Sequence, residues 1–471
     1  MSDEQESMNM FGDMHPYNKL FQVFTKLPEK GMDEAEVLKE IAYMSEEENK
    51  KWQGGQCSGT MYHGGMEHYA FLNKVFSMFS SINIMQRDLC PSGTKFEAEV
   101  LAMVGKMLHG EEVSKVNRFD EEAGAITSGG TESIYNAMFV YREWGRQEKG
   151  ITAAEVVAPM TIHPAHLKAA HYLGMKVIRV PVNADFEADV EAMRAQITPN
   201  TVALAGSAGT YPNGVVDPIS KLSDLALEHK LGLHVDGCLG GFILPWIEKL
   251  GYDVPVFDFR LPGVTSISCD THKYGYALKG TSTINFRNKD LRRYMFFAQE
   301  DWPGGVYASP TVQGSRSGGL SAAMWAAMVC MGEEGYLKAA KAIMDTADKM
   351  RAGIARIPEM RIMGKSTFLI SLTSDVVNPY FVNDYLYAKG WRMNGCQNPL
   401  GFHFCITLPQ TQPGIAERFV KDLADGVNFA KDPPYEVPKT GFLYGMGATS
   451  DGREMLRLGL KGYVEASYEY E

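Results

Sequence analysis

Short apolar runs alternate with amphipathic stretches through the middle of the chain. The runs are rich in β-branched and small residues and predict buried strands, whereas apolar residues three or four apart predict helices, as at Glu132–Arg146 and Ile219–His229. The predicted strands are Gly124–Thr127, Glu155–Ala158, Lys176–Val180, Thr201–Gly206, Leu231–Val235 and Val264–Ser268. This order predicts an α/β fold whose mostly parallel sheet has helices on both faces.

The pattern differs before and after this region. Residues 1–80 combine aromatic residues with turns, and a helical spacing follows at Phe96–Leu108. The glycine-rich loop at 54–65 has the composition of a flexible connector, yet it carries Tyr62 and His63 between small residues, where their polar ends could meet a ligand.

Past residue 320 a long helix is predicted through Met324 to Arg351, and strands are predicted at Phe368–Leu372 and His403–Ile406. This succession favours a smaller α+β domain. The pattern of residues 455–470 does not assign an element. The expected organisation is an N-terminal helical and loop segment (1–80), a large α/β domain (81–330) and a small C-terminal α+β domain (331–471).

Composition excludes several classes of protein. A net charge of −11 over 471 residues argues against a nucleic-acid binder, because phosphate backbones need a basic surface. The seven cysteines are scattered without a CxxC pair, which argues against a disulfide framework or a zinc site and favours a reducing compartment. The acidic start M-S-D-E-Q-E-S lacks the features of a signal peptide, and no run is long enough to span a membrane. We therefore expect a soluble, cytoplasmic protein.

The strand at Val264–Ser268 is followed by C-D-T-H-K-Y-G-Y, which places Lys273 at a strand end. Ligands bind at such ends in open α/β sheets. Desolvation and nearby positive charge would lower the pKa of a lysine there and make it a Schiff-base nucleophile. The alternative is an ordinary surface lysine.

Three further strand ends carry candidate chemistry. Ser128–Ser133 is a glycine-rich turn into a helix, which favours a phosphate, with Thr131 as N-cap and hydroxyl donor. Asp236, at a buried strand end, needs a positive partner such as a protonated pyridine nitrogen, and it lies about one βαβ step before Lys273. His163 follows another strand, where an imidazole could stack on a flat ring. Each has an ordinary alternative: a helix start, an N-capping aspartate, and a histidine with no ligand, with His166 and His171 nearby as competitors.

Together the four features describe a single site for pyridoxal 5′-phosphate on the aminotransferase-type fold. They supply a phosphate cradle, a stacking imidazole, a carboxylate for the ring nitrogen and a Schiff-base lysine, in chain order at strand ends.

Longer stretches make the pattern more specific. They are S-G-T-M-Y (58–62), T-S-G-G-T-E-S (127–133), H-V-D-G-C-L-G-G-F (234–242), F-D-F-R (257–260), G-V-T-S-I-S-C-D-T-H-K-Y-G-Y (263–276), D-W-P-G-G-V-Y-A-S-P (301–310), G-S-R-S-G-G (314–319), H-F-C-I-T-L (403–408) and L-Y-G-M (443–446). Over about residues 15–460 the chain resembles the sphingosine-1-phosphate lyase family, among the group II decarboxylase-like enzymes. The resemblance implies the pyridoxal-phosphate-dependent transferase-like fold type I, with a large domain of the seven-stranded type.

The resemblance also implies residue roles. Lys273 would form the Schiff base, His163 would stack on the ring and Asp236 would pair with its nitrogen. The phosphate group of the cofactor would be held by Gly129, Gly130, Thr131 and His272, with Ser315 contributed by the partner subunit of a homodimer. The substrate site would be lined by Tyr62 (reaching across the dimer interface), Asn83, Lys279, Tyr211 and Tyr444. Tyr211 is counted with Lys273 and His163 among the catalytic residues, and Lys279 suits a substrate phosphate.

Two positions depart from the family pattern. Gln86 stands where better-known members have a histidine three residues after Asn83, so the substrate phosphate would be held without that charge. Ala277–Gly280 reads A-L-K-G where many relatives have A-P-K-G, which keeps the lysine.

The implied activity is retro-aldol cleavage of a phosphorylated long-chain amino alcohol to phosphoethanolamine and an aldehyde, with no metal. The proton on the C3 hydroxyl would go to a base that the sequence leaves open between the freed Lys273 and a phosphate oxygen. An amino-acid decarboxylase is the alternative enzyme, with Arg316 as the cation for a carboxylate. A catalytically idle binding protein or dimeric scaffold is the alternative outside catalysis, and the intact Lys273, Asp236 and His163 argue against it.

Overall fold

A computed structural model describes residues 14–113, 121–441 and 450–470. Seven strands form its main sheet: β1 (Ala123–Thr127), β2 (Glu155–Pro159), β3 (Lys176–Val180), β4 (Thr201–Ser207), β5 (Gly232–Asp236), β6 (Ser266–Cys269) and β7 (Ser282–Phe286). Their order across the sheet is β1-β7-β6-β5-β4-β2-β3. All the neighbouring pairs are parallel except the two that β7 makes. The predicted mostly parallel sheet is therefore confirmed, and all six predicted strands are present.

The antiparallel strand β7 was not predicted from the sequence. Its run S-T-I-N-F mixes polar and apolar residues, yet all five are buried. Two of its polar side chains donate to groups outside the strand: the Ser282 hydroxyl donates to Asp270 Oδ1 at 2.6 Å and the Asn285 amide donates to the Ile267 carbonyl at 3.3 Å.

Thirteen helices are described: α1 (Glu34–Asn49), α2 (Met66–Met78), α3 (Pro91–Met107), α4 (Gly130–Lys149), α5 (Ala165–Leu173), α6 (Val190–Ala195), α7 (Ile219–His229), α8 (Leu244–Lys249), α9 (Lys289–Arg292), α10 (Gly318–Ile354), α11 (Pro379–Ala388), α12 (Ile415–Lys431) and α13 (Ser450–Ala466). Successive residues of β2 enter different apolar clusters, Val157 one cluster and Val156 and Ala158 the other. Side chains alternate across a strand, so both faces of the sheet are covered. Among the described helices, none combines the length and apolarity needed to cross a membrane.

The C-terminal part contains a second, antiparallel sheet. Its strands are β10 (Arg361–Ile362), β11 (Leu369–Thr373), β12 (Asn394–Cys396) and β13 (Gly401–Cys405), in the order β10-β11-β13-β12. A two-stranded ribbon, β8 (Phe297–Gln299) with β9 (Tyr307–Ser309), precedes α10. The smaller α+β unit is thus present, and the tail that the sequence left unassigned contains α13. The boundaries at residues 80 and 330 stay predictions, and α10 runs across the second of them.

The parallel strands bring their carboxyl ends to one edge of the main sheet. Asp236 closes β5 and is paired with Ser268 of β6, four residues before the turn that carries His272 and Lys273. The prediction that Asp236 and Lys273 follow neighbouring strands is therefore confirmed.

Candidate active site

A cavity of about 350 Å³ lies at this edge of the sheet. It is lined by Ser128, Gly129, Gly130, Thr131, Glu132, Ile134, His163, Ser207, Gly209, Tyr211, Asp236, Cys238, Leu239, Asp270, His272 and Lys273. The structure thus brings together the glycine-rich turn, His163, Asp236 and Lys273, which the sequence placed after four separate strands. We call this cavity the inner lobe.

Lys273 is held by a carboxylate that the sequence analysis did not assign a role. Its Nζ lies 3.0 Å from Oδ2 of Asp270, whose side chain is 2% exposed. Burial alone would lower the pKa of Lys273, but Asp270, with smaller contributions from other nearby groups, outweighs it and raises the pKa above that of an ordinary lysine. The expectation of a lowered lysine pKa is therefore wrong for the cofactor-free chain, because the nearest charge is negative.

Asp236 is kept ionised in a buried position. Its Oδ1 accepts hydrogen bonds from the Cys238 amide at 3.1 Å and from the Ser268 hydroxyl at 3.4 Å. Burial would raise the pKa of this carboxyl, but His166 and His163, with smaller contributions from other nearby groups, lower it to about 2. A permanent negative charge in the cavity wall suits a protonated ring nitrogen.

The glycine-rich turn begins α4, but not as predicted. Gly129 is the N-cap and Gly130 the first helical residue, so Thr131 is not the N-cap; its predicted role there is wrong. Glu132 reaches back to accept hydrogen bonds from the amide and hydroxyl of Ser128, which fixes the shape of the turn. A Cβ on Gly130 would lie 2.7 Å from Cys238 Sγ and 2.8 Å from Asp270 Oδ2, so the turn fits against the cavity wall only without a side chain.

His163 and His272 flank the cavity. The Ala165 amide donates to Nδ1 of His163 at 3.2 Å, which leaves the opposite side of that ring to the cavity. Nδ1 of His272 donates to the Thr281 carbonyl at 2.5 Å, and burial lowers the pKa of His272. Both rings are therefore fixed by backbone groups before any ligand binds.

A second cavity of about 340 Å³, the outer lobe, shares His163, Tyr211, Leu239, His272 and Lys273 with the inner lobe. It adds Gly59, Thr60, Tyr62, Lys279, Leu369, Asn394, His403 and Cys405. The two lobes are parts of one site, so three of the predicted substrate residues lie beside the predicted cofactor residues.

Lys279 is the second amine of the site. Its Nζ donates to the His272 carbonyl at 3.1 Å and lies 5.0 Å from the ring centre of Tyr62. Partial burial, reinforced by the positive charge of Lys273, lowers the pKa of Lys279 to about 8. Tyr62 itself is buried in its own chain, edge-on to Tyr274 with ring centres 5.0 Å apart. Within one chain Tyr62 therefore lines the outer lobe, and its reach across a dimer interface stays a prediction.

Asn83 and Ser315 lie together but line neither lobe. The Asn83 amide donates to the Ser315 hydroxyl at 3.0 Å, and the Asn83 side-chain oxygen accepts from the Arg316 amide at 3.2 Å. Gln86 is exposed beside them. Tyr444 lies outside the described residues.

Arg316, the cation considered for a substrate carboxylate, is already paired. Its guanidinium forms an ion pair with Glu97, and the two side chains are 8% and 7% exposed. Glu97 also accepts from Arg87 at 2.9 Å. Arg316 is thus a structural residue in this chain.

Two residues of the site were not predicted from the sequence. Asp270 belongs to the motif that carries Lys273, and its spacing three residues before that lysine was a usable signal. His403 lies within the apolar run G-F-H-F-C and has the appearance of a core histidine, yet it lines the outer lobe.

The residues fit pyridoxal phosphate. The inner lobe combines an ionised buried carboxylate, a turn that admits no Cβ at Gly130 beside the start of a twenty-residue helix, and a lysine amine, all in one cavity. The start of a helix offers unpaired amides to a phosphate. The carboxylate can pair with a protonated ring nitrogen, and the amine can react with an aldehyde.

Comparison with known proteins agrees with this arrangement. The family described as pyridoxal-dependent decarboxylase conserved domain matches residues 16–370. The chain is 42% identical over 443 residues to the sphingosine-1-phosphate lyase of Dictyostelium discoideum, covering 93% of this chain and 81% of that protein. It is 41% identical over 445 residues to sphingosine-1-phosphate lyase 1 of Rattus norvegicus, covering 94% and 77%.

Solved structures give the same result. The structure of a Burkholderia pseudomallei sphingosine-1-phosphate lyase matches with a TM-score of 0.87 and 50% identity, covering 89% of this chain and 96% of that one. A glutamate decarboxylase of Lactobacillus brevis matches with a TM-score of 0.74 at 17% identity, covering 91% and 99%, which shows a shared fold. The chain therefore belongs to the pyridoxal-dependent decarboxylase family and, within it, to the sphingosine-1-phosphate lyases.

Proposed function

We propose that this chain is a pyridoxal-phosphate-dependent carbon–carbon lyase. Its substrate is sphingosine 1-phosphate or a related phosphorylated long-chain base, which it cleaves between C2 and C3 to a long-chain aldehyde and phosphoethanolamine. The observation that carries this proposal is the pair of amines, Lys273 and Lys279, that line one continuous cavity. One amine serves the cofactor aldehyde, and the other remains for a phosphorylated substrate.

The inner lobe holds the cofactor in this proposal. Lys273 binds it covalently, Asp236 pairs with its ring nitrogen and His163 packs on its ring. Gly129, Gly130, Thr131 and His272 surround its phosphate. When bound, pyridoxal phosphate supplies an electron sink for the electron pair of the breaking C2–C3 bond.

The outer lobe binds and orients the substrate. The ammonium of Lys279 attracts the substrate phosphate, and the ring of Tyr62 faces that ammonium at 5.0 Å. Tyr211 lies between the two lobes, 42% exposed, where its hydroxyl can hold the C3 hydroxyl of the substrate. Once it is free of the cofactor, the Lys273 amine would be kept protonated by Asp270 and could deliver a proton to C2 after cleavage. The proton of the C3 hydroxyl would then go to a phosphate oxygen.

A homodimer completes the site in this proposal. Ser315 and Asn83 line neither lobe of their own chain, so Ser315 would reach the cofactor phosphate of the partner subunit. Helix α1 has no buried residue, and its Leu38 and Ile41 are 65% and 54% exposed. This apolar surface is available for a second subunit to cover. The free cysteines are consistent with a cytoplasmic setting.

The decarboxylase alternative lacks its cation. Arg316 is paired with Glu97. The amines that line the described part of the cavity are Lys273 and Lys279, which we assign to the cofactor and to the substrate phosphate. The likeness to glutamate decarboxylase is one of fold, at 17% identity.

The test compares substrates. Purified holoenzyme is given sphingosine 1-phosphate, unphosphorylated sphingosine and glutamate at equal concentrations, and aldehyde and carbon dioxide are measured. We expect aldehyde from the phosphorylated base, much less from sphingosine, and no carbon dioxide from glutamate. Carbon dioxide release without aldehyde would replace the lyase with the decarboxylase.

A further inference from the structure

His403 is a buried histidine that the proposed reaction does not use. It lies on β13 of the second sheet, is fully buried among its neighbours and yet forms part of the wall of the outer lobe. It is therefore a residue of the C-terminal unit placed beside residues delivered by the main sheet.

Both ring nitrogens of His403 are occupied by protein groups. Nε2 accepts a hydrogen bond from the Asn394 amide at 3.1 Å, and that amide also donates to the Ser58 hydroxyl at 3.0 Å. The ring hydrogen-bonds the carbonyl of Pro212, and Nδ1 lies 3.7 Å from Cys396 Sγ. Since Nε2 is an acceptor, Nδ1 carries the proton and points to Pro212. Burial lowers the pKa of His403 to about 4, so the ring stays neutral. A neutral histidine with both nitrogens engaged cannot exchange a proton with substrate.

The remaining face of His403 contacts Tyr211. The two rings meet edge to face, with centroids 4.8 Å apart and planes at 83°. Tyr211 also contacts His163, with ring centroids 6.0 Å apart and planes at 82°. The tyrosine is thus in contact with both a histidine that follows the main sheet and a histidine of the second sheet.

Tyr211 lies on the loop at 210–214, and the other end of this loop, at Gly214, also contacts the second sheet. A Cβ on Gly214 would lie 2.7 Å from Leu369 Cβ on β11, so the backbone there touches the sheet directly. Within the loop, the Gly214 amide donates to the Thr210 carbonyl at 2.7 Å. The loop at 210–214 is therefore closed on itself and held by His403 and Leu369.

We propose that His403 is a positioning residue for Tyr211: its hydrogen bonds to Asn394 and Pro212 and its edge contact fix the tyrosine at the junction of the two lobes. This inference rests on the proposed function for the role of Tyr211, but the positioning itself concerns this chain alone. It makes the second sheet part of the machinery that orients the substrate hydroxyl.

A double-mutant cycle tests the proposal. His403→Phe keeps an aromatic edge but removes both hydrogen bonds, and His403→Gln keeps polar groups in a smaller side chain. We expect His403→Phe to lower kcat about 10- to 100-fold with little change in KM, and His403→Gln to lower it less. In a Tyr211→Phe background His403→Phe should have almost no further effect, because the hydroxyl it positions is gone. If His403→Phe lowers kcat by the same factor in the wild type and in the Tyr211→Phe background, the proposal is wrong.

A second measurement separates this proposal from the proposed function. Hydrogen–deuterium exchange of the cofactor-free protein should show faster exchange at residues 208–216 in His403→Phe and in Asn394→Ala, which removes the donor to Nε2. Trp391→Phe is the matched control, since it removes a buried hydrogen bond to Asp422 (2.9 Å) in the same unit, away from the loop. Unchanged exchange at 208–216 in both variants would overturn the positioning role even if the enzyme cleaves sphingosine 1-phosphate. Faster exchange in a chain that does not cleave it would leave the positioning intact and refute the proposed function.

Discussion

The amine of Lys273 lies 3.0 Å from Oδ2 of Asp270, and this contact sets the protonation of the site before any cofactor arrives. Asp270 is itself held, because its Oδ1 accepts from the Ser282 hydroxyl at 2.6 Å. In the cofactor-free protein the lysine is therefore an ammonium ion, and it must lose a proton before it can attack the cofactor aldehyde.

This contact predicts the pH dependence of cofactor uptake. Because Asp270 raises the pKa of Lys273, the free amine becomes abundant only as the pH rises, and uptake by the cofactor-free protein should accelerate toward alkaline pH. In Asp270→Asn the acceleration should begin at lower pH, with about tenfold faster uptake at pH 8 for each unit by which the lysine pKa falls. Stopped-flow absorbance measures the rate. Ser282→Ala is the control because it removes a hydrogen bond but not the charge; an unchanged profile in Asp270→Asn would contradict the prediction.

Asp236 should determine cofactor affinity. Asn in its place keeps the shape but cannot offer the negative charge that a protonated ring nitrogen needs. The loss of a hydrogen bond to a charged group, about 1.5–3 kcal/mol, corresponds to a roughly 10- to 150-fold weaker Kd. Equilibrium dialysis of pyridoxal phosphate against Asp236→Asn measures it, and a Kd equal to that of the wild type would remove Asp236 from the site.

The lowered pKa of Lys279 predicts how KM depends on pH. Its pKa of about 8 means that the ammonium is present below pH 8 and is lost as the pH rises through that value. KM for sphingosine 1-phosphate should therefore rise above pH 8, approaching tenfold per pH unit, while the phosphate stays dianionic. In Lys279→Arg the charge persists and the rise should vanish. A KM that rises equally in both proteins would assign the effect to another group.

Arg316 should matter for stability and not for substrate choice. Arg316→Met leaves the buried Glu97 with Arg87 as its remaining ionic partner, which we expect to reduce the free energy of unfolding by about 3 kcal/mol. Urea unfolding measures the loss, and adding Glu97→Gln should recover part of it. If Arg316→Met instead has the free energy of unfolding of the wild type and loses activity on an amino acid, Arg316 would be the cation for a substrate carboxylate, as the decarboxylase interpretation requires.

Subunit complementation tests the proposed dimer. Ser315→Glu should repel the cofactor phosphate in the partner subunit, and Lys273→Ala removes the covalent attachment in its own. Co-expression of the two inactive chains should restore one intact site in each mixed dimer, about a quarter of wild-type activity in a statistical mixture. No recovered activity would indicate that Ser315 acts within its own chain or not at all.

The sequence predicted the elements that have strong periodicity and the groups that follow them. Six strands, Ile219–His229 and the neighbouring placement of Asp236 and Lys273 could all be predicted, because parallel strands deliver their ends to one edge. Strand β7 could not, since buried Ser282 and Asn285 depend on hydrogen-bond partners outside their own strand.

Long-range partners explain the other differences. The raised pKa of Lys273 depends on which charge lies nearest, and the hydrogen bond from Asn83 to Ser315 joins residues 232 positions apart. His403 belongs to an apolar strand, and only the folded chain brings it against Tyr211. The sequence thus indicated the chemistry of the site, whereas the groups that orient it required the structure.

The most direct measurement identifies the products of the wild type and of Lys273→Ala from sphingosine 1-phosphate. Both proteins receive added cofactor, and phosphoethanolamine and long-chain aldehyde are quantified by mass spectrometry. We expect equal amounts of both products from the wild type and none from Lys273→Ala. A wild-type protein that binds the cofactor but yields neither product, or a Lys273→Ala protein that yields both, would contradict it.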